Sequence, residues 1–153
     1  MCIRDRFIAH RTLQGSEYAN RVHQCNAAES IIGPLCSATN DMLEQITDAV
    51  IFKRARHVIS ENLRVREFAQ ALASHELQHA GKLMNEGHRS LALDFDTSTP
   101  AMDKAVEEIR KIPGVYGARM TGGGFGGCAV ALCSHDADVP GWTVSAVGAA
   151  RLA

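Results

Sequence analysis

The apolar positions of EYANRVHQCNAAESII (residues 17–32) fall at Tyr18, Val22, Cys25, Ala28 and Ile32. Steps of three and four put them on one helical stripe, and Gly33-Pro34 supplies the stop. The same period across Asp41–Ser60 predicts a second helix with Met42, Ile46, Ala49, Val50 and Val58 inward. Ser60 then reads as the cap of a third helix, its hydroxyl placed for the free amides of ENLRV, with Phe68 and Leu72 further along. Leu77, Leu83 and Met84 continue the helical pattern toward Gly87, and LALDFDTS reads as a short extended stretch. Thr99-Pro100 marks a clear helix start, because proline at the first helical position loses no needed hydrogen bond. The helix AMDKAVEEIRK aligns Met102, Val106 and Ile109 and ends before Pro113-Gly114. VYGARM and CAVALC read as short strands flanking TGGGFGG. Helices outnumber strands and the strands sit late, so the class is α+β in one domain.

Composition narrows the function. The chain has 153 residues, 46% hydrophobic and 22% charged, with a net charge of -1. That balance leaves no basic footprint for nucleic acid or anionic membrane. No apolar run approaches the ~20 residues of a bilayer span. The five cysteines (Cys2, Cys25, Cys36, Cys128, Cys133) are scattered, without a C-x-x-C pair. They read as reduced thiols, which points to the cytoplasm. MCIRDR resembles a translated sequencing adapter and is set apart from the fold, so that the natural sequence is cut at Phe7. DADVPGWTVSAVGAARLA lacks a clear period and reads as a frayed tail, unpacked. The expected division is 1–6 adapter-like, 7–135 domain and 136–153 tail.

Two motifs invite chemistry. HELQH (75–79) matches H-E-x-x-H, in which two histidines on one helical face hold zinc beside a glutamate base. The longer form needs glycine at 82 and histidine at 85, where Lys82 and Asn85 stand, and the other ligand source is Glu107 or Glu108. The match is a coincidence, and no metal ligand is assigned.

TGGGFGG is the stronger signal, with five glycines in seven positions. Such a run lets the backbone adopt φ > 0 and turn successive amides toward an anion. A glycine-rich hairpin without a ligand is the bland alternative, disfavoured because unused glycines cost conformational entropy. Gly122, Gly124 and Gly127 satisfy G-x-G-x-x-G, yet CAVALC follows where a dinucleotide site needs a helix. No Gly-Lys-Ser/Thr follows either, so the loop is not a Walker A element.

ARMTGGGFGGCAVAL (Ala118–Leu132) closely resembles the third signature motif of the GHMP sugar and metabolite kinases, in the wording of the galactokinases. His10–Cys25, RARHVISEN (Arg54–Asn62) and Gly81–Asp103 resemble further galactokinase blocks in the same order. The resemblance spans about residues 8–133. It implies a GHMP kinase C-terminal domain, with helices on a small antiparallel, ferredoxin-like sheet, incomplete at both ends. It implies transfer of the γ-phosphoryl group of ATP to the C1 hydroxyl of α-D-galactose with Mg2+, which depends mainly on positioning and charge stabilisation. Thr121, Gly122, Gly123, Gly124, Phe125, Gly126 and Gly127 inherit support of the ATP phosphates. Tyr18, in the S-E-Y block, inherits a contact to the sugar, its other reading being a buried helix tyrosine.

The family's sugar-recognition segment, serine-rich ATP loop, catalytic aspartate and partner arginine have no counterpart here. No catalytic role therefore passes to Asp41, Asp48, Asp94, Asp96 or Asp103, and the Mg2+ ligands are expected in the N-terminal domain of the same enzyme. His57 and His88 read as structural, with Gly87 standing where the family usually has serine. The isolated chain is expected to be inactive and to leave an unpaired sheet edge and apolar surface exposed. Alternatives are an N-acetylgalactosamine or arabinose kinase, or a non-catalytic galactose and ATP sensor.

Overall fold

The computed structural model describes residues 2–6 and 16–144. Residues 7–15, which open the His10–Cys25 block, and 145–153 of the tail lie outside the described residues. Helix α1 (Ser16–Ile32) forms where the period predicts it, and Gly33 ends it at φ 80°. Ala28 and Ile32 are buried, whereas Tyr18 and Val22, on the same stripe, are exposed.

The next helices divide differently from the sequence expectation. Residues Asn40–Gln45 form a 3-10 helix, and α2 runs unbroken from Ala49 to Ala73. The true cap is Asp48, whose carboxylate accepts from the amides of Val50 and Ile51 at 2.8 and 2.9 Å. Ser60 lies inside α2 and starts nothing. Its hydroxyl donates back to the His57 carbonyl, a local bond that lets serine sit within a helix. The Asp41–Ser60 stripe is also only partly inward, since Ile46 is buried while Val50 and, further on, Leu72 are exposed. Ala28, Ile32, Leu35, Leu43, Ile46, Ala55 and Ile59 pack as one core between α1, the 3-10 helix and α2.

Helix α3 spans Leu77–Ser90, and LALDF, expected to be extended, is a π-helical turn (Leu91–Phe95) that continues it. The turn closes at Asp96, in the left-handed region at φ 55°. Helix α4 (Pro100–Arg110) starts as the sequence indicates, with the Thr99 hydroxyl accepting from the Met102 amide at 3.2 Å.

Strands β2 (Val115–Thr121) and β3 (Gly127–Cys133) pair antiparallel on either side of the glycine loop. Ala118, Met120, Ala129 and Ala131 alternate onto the face covered by Met102, Val106 and Ile109 of α4, forming a second core. The outer edge of β2 is closed by α3. Asn85 and His88, one helical turn apart, accept the edge amides of Ala118 and Met120 at 3.0 and 3.2 Å. Arg110 donates to the Ala118 carbonyl between them at 2.8 Å. Two side chains and one guanidinium thus satisfy backbone groups that a neighbouring strand would otherwise pair.

The sheet order is β2-β3-β1-β4, where β1 is Cys2–Arg6 and β4 is Trp142–Thr143. The adapter-like segment set apart in the sequence therefore pairs along β3, from Cys2 opposite Ala131 to Arg6 opposite Gly127, and covers the edge expected to be open. The tail also departs from expectation. Val139 is buried in the α4 core, held by turns at 134–139 that bring in one apolar side chain without any repeating pattern.

Candidate functional site

The loop between β2 and β3 has a backbone that glycine makes possible. Gly122, Gly124, Gly126 and Gly127 take φ of 90°, 84°, 125° and 103°. Phe125 adopts φ 59°, a cost that persists because its surroundings fix it. The Phe125 amide donates to the Thr97 carbonyl at 2.6 Å. A Cβ at Gly124 would stand 2.7 Å from the Thr97 Cβ and 2.8 Å from its carbonyl oxygen, so glycine is required for this approach. A Cβ at Gly122 or Gly126 would meet nothing within 4 Å. The amides of Gly122, Gly123, Gly124 and Gly126 have no hydrogen-bond partner among the described residues. They form a run of spare donors, the chemistry that suits a phosphate oxygen.

A buried arginine ties this loop to α1. The Nε of Arg21 donates to the Phe95 carbonyl at 2.7 Å, and its Nη2 donates to both the carbonyl and the carboxylate of Asp96 at 2.6 and 2.9 Å. The same guanidinium lies 5.6 Å from the centre of the Phe125 ring. Arg54 of α2 supports the arrangement, donating to the Asp96 carboxylate at 3.2 Å, to Gln24 at 2.9 Å and to the Asp94 carbonyl. Burial, and then the adjacent Arg21 charge, lower the Arg54 pKa, while Asp96 opposes them. Next to this clamp, the hydroxyl of Thr97 is buried without a partner among the described residues.

Tyr18 stands one helical turn before Arg21 and is 53% exposed, so the buried-tyrosine reading fails. The clamp brings its end of α1 to the same turn that anchors the glycine loop. The sequence carries no functional expectation for Arg21 or Thr97, places Arg54 only within the RARHVISEN block, and names Asp96 only as an aspartate without a catalytic role. Arg21 lies in the same block as Tyr18, but its partner is 75 residues away, and Asp96 and Thr97 lie in LALDFDTS, which the sequence predicts to be extended.

The two histidines read as structural are so. His57 is buried, stacked on Phe95 with ring centroids 4.6 Å apart, its Nδ1 2.9 Å from the Ser90 hydroxyl. His88 accepts an amide through Nδ1, which leaves the proton on Nε2, 3.2 Å from the Asp103 carboxylate. HELQH straddles a turn. His75 takes φ 60° after the end of α2, and α3 begins at Leu77, so the histidines do not share a helical face.

Residues 68–140 match the family model described as GHMP kinases C terminal. These residues form a GHMP kinase C-terminal domain. The chain is 43% identical to the galactokinase of Homo sapiens over 131 residues, which cover 82% of this chain and 33% of that protein. Its fold is similar to that of Lactococcus lactis galactokinase complexed with galactose, with a TM-score of 0.80 and 34% identity over 88% of this chain and 37% of the other. The chain thus spans about a third of the length of these galactokinases. The GHMP kinase match includes α3, α4 and the glycine loop; the clamp residues Arg21 and Arg54 precede it.

Proposed function

We propose that this chain is the C-terminal part of a galactokinase, acting in ATP-dependent phosphorylation of α-D-galactose at its C1 hydroxyl. The observation that carries this reading is the clamped glycine loop, whose spare amides stand on a fold similar to a galactokinase complexed with galactose. In this reading the loop lies beside the phosphates of ATP, and the amides of Gly122, Gly123, Gly124 and Gly126 offer donors to their oxygens. Tyr18 offers the sugar a hydroxyl and an apolar ring face, a pairing that suits sugar binding. Magnesium supplies charge neutralisation of the phosphates, and no ligand to it is assigned to this chain. The catalytic base, the magnesium ligands and the rest of the sugar site belong to the N-terminal domain of the same enzyme. No helix among the described residues is long and apolar enough to cross a membrane, which accords with a cytoplasmic sugar kinase.

The test is a chimera in which residues 16–144 replace the matching segment of Lactococcus lactis galactokinase. It should convert galactose and ATP to galactose 1-phosphate, whereas the 153-residue chain alone should not. A folded chimera without that activity, or turnover by the chain alone, contradicts the proposal.

A further inference from the structure

The π-helical turn at 91–95 has two sides. One carries Phe95 and Asp96 to the clamp, and the other lines an open groove of about 660 Å³ between α2, α3 and the 3-10 helix. Arg56, Ser60 and Arg64 face this groove from α2 at intervals of four residues. That spacing aligns them on one stripe, each roughly 6 Å beyond the last. Arg89, in the last turn of α3, faces it from the other wall.

The charges do not cancel. Asp94 engages Arg56, and Glu61 holds Arg64 at 2.8 Å. Glu86, also at the groove, pairs with Lys82 at 3.8 Å. Arg89 is exposed and has no ion-pair or hydrogen-bond partner among the described residues, and the same is true of the Asn40 side chain. One uncompensated guanidinium thus sits among two others that retain spare N–H donors, since each is engaged at only part of its fork. Beside them Leu93 stands 59% exposed, an apolar surface in a charged groove.

We propose that this groove binds a small phosphorylated metabolite, with its phosphate among Arg56, Arg64 and Arg89 and its carbon skeleton on Leu93. A phosphate fits better than a carboxylate because its oxygens can be shared among several guanidinium forks. The volume lies within the usual range of small-molecule sites. This binding is independent of the nucleotide reading, because its residues are not those of the glycine loop.

The experiment is a titration of the isotope-labelled 153-residue chain with phenyl phosphate at low salt, read by NMR at each amide. Signals from Ser60, Arg64, Arg89 and Leu93 should shift together and saturate in the roughly millimolar range or tighter. Arg89→Ala should weaken that response roughly tenfold or more, Arg89→Lys should weaken it less, and benzoate should bind less tightly than phenyl phosphate. Signals of Gly122–Gly127 serve as the separate record of phosphate at the loop. Shifts confined to the loop, no saturable response at the groove, or an Arg89→Ala response equal to the parent's would overturn the proposal, whatever the chimera shows.

Discussion

Arg21 and Asp96 are joined across 75 residues by two hydrogen bonds from one guanidinium nitrogen, to the carbonyl at 2.6 Å and to the carboxylate at 2.9 Å. The Asp96 side chain is 62% exposed, so solvent screens the charge pairing, and the bonds from buried Arg21 to backbone carbonyls matter more. Because Thr97 follows directly and holds the Phe125 amide, this pair sets where the glycine loop stands. Arg21→Ala should therefore destabilise the chain by about 2 kcal/mol or more, while Asp96→Asn, which keeps the carbonyl contacts, costs less than half as much. Urea unfolding of both variants checks the order, and a larger loss for Asp96→Asn contradicts it.

Burial in the α2 helix and against Phe95 lowers the His57 pKa to about 4. The unfolded chain holds this imidazole near 6.5 and takes up its proton first as pH falls. Stability is then fully present above pH 6.5 and is lost on acidification down to about 4, by roughly 3 kcal/mol in total. His88, lowered by burial and by the Arg110 charge, acts with the same sign. Urea midpoints between about pH 7.5 and 4.5 should fall with acid, and His57→Gln should flatten that slope. A parent midpoint constant over this range contradicts the neutral, buried assignment.

Two glycines are fixed by close approach. A Cβ on Gly81 of α3 would stand 2.1 Å from the Tyr116 carbonyl oxygen of β2, which is backbone and has little room to move. Gly81→Ala should separate α3 from the edge it covers and cost at least about 3 kcal/mol. Gly122→Ala, with open space around it, carries only the strain of a positive φ, about 1 kcal/mol. Thermal melts of the two variants should differ widely; equal melts would show that α3 does not lie on β2 this closely.

Local signals in the sequence located what local chemistry decides. Thr99-Pro100 gave the start of α4, and the crowded glycines gave a loop with its backbone free for a ligand. The helix break was also written locally, in Asp48, but Ser60 offered a competing cap; in the fold Ser60 bonds back to the His57 carbonyl, and Ala55 and Ile59, which precede it, pack into one core. LALDFDTS reads as a short extended stretch in the sequence, yet LALDF forms a π-helical turn. The π-helical turn is held from outside by Arg54 and Arg56, which bind Asp94 about forty residues away. Nothing short-range records such pairings, nor the contact of Gly81 with Tyr116. Val139 shows the same limit, since a single buried side chain needs no period to pack.

The central claim, that the clamped glycine loop faces the phosphates of ATP, is tested most directly by Gly122→Ala in the galactokinase chimera. Steady-state kinetics should show the KM for ATP raised roughly fivefold or more, with the KM for galactose unchanged. An unchanged KM for ATP in a folded, active variant, or an equal rise for both substrates, would contradict the account.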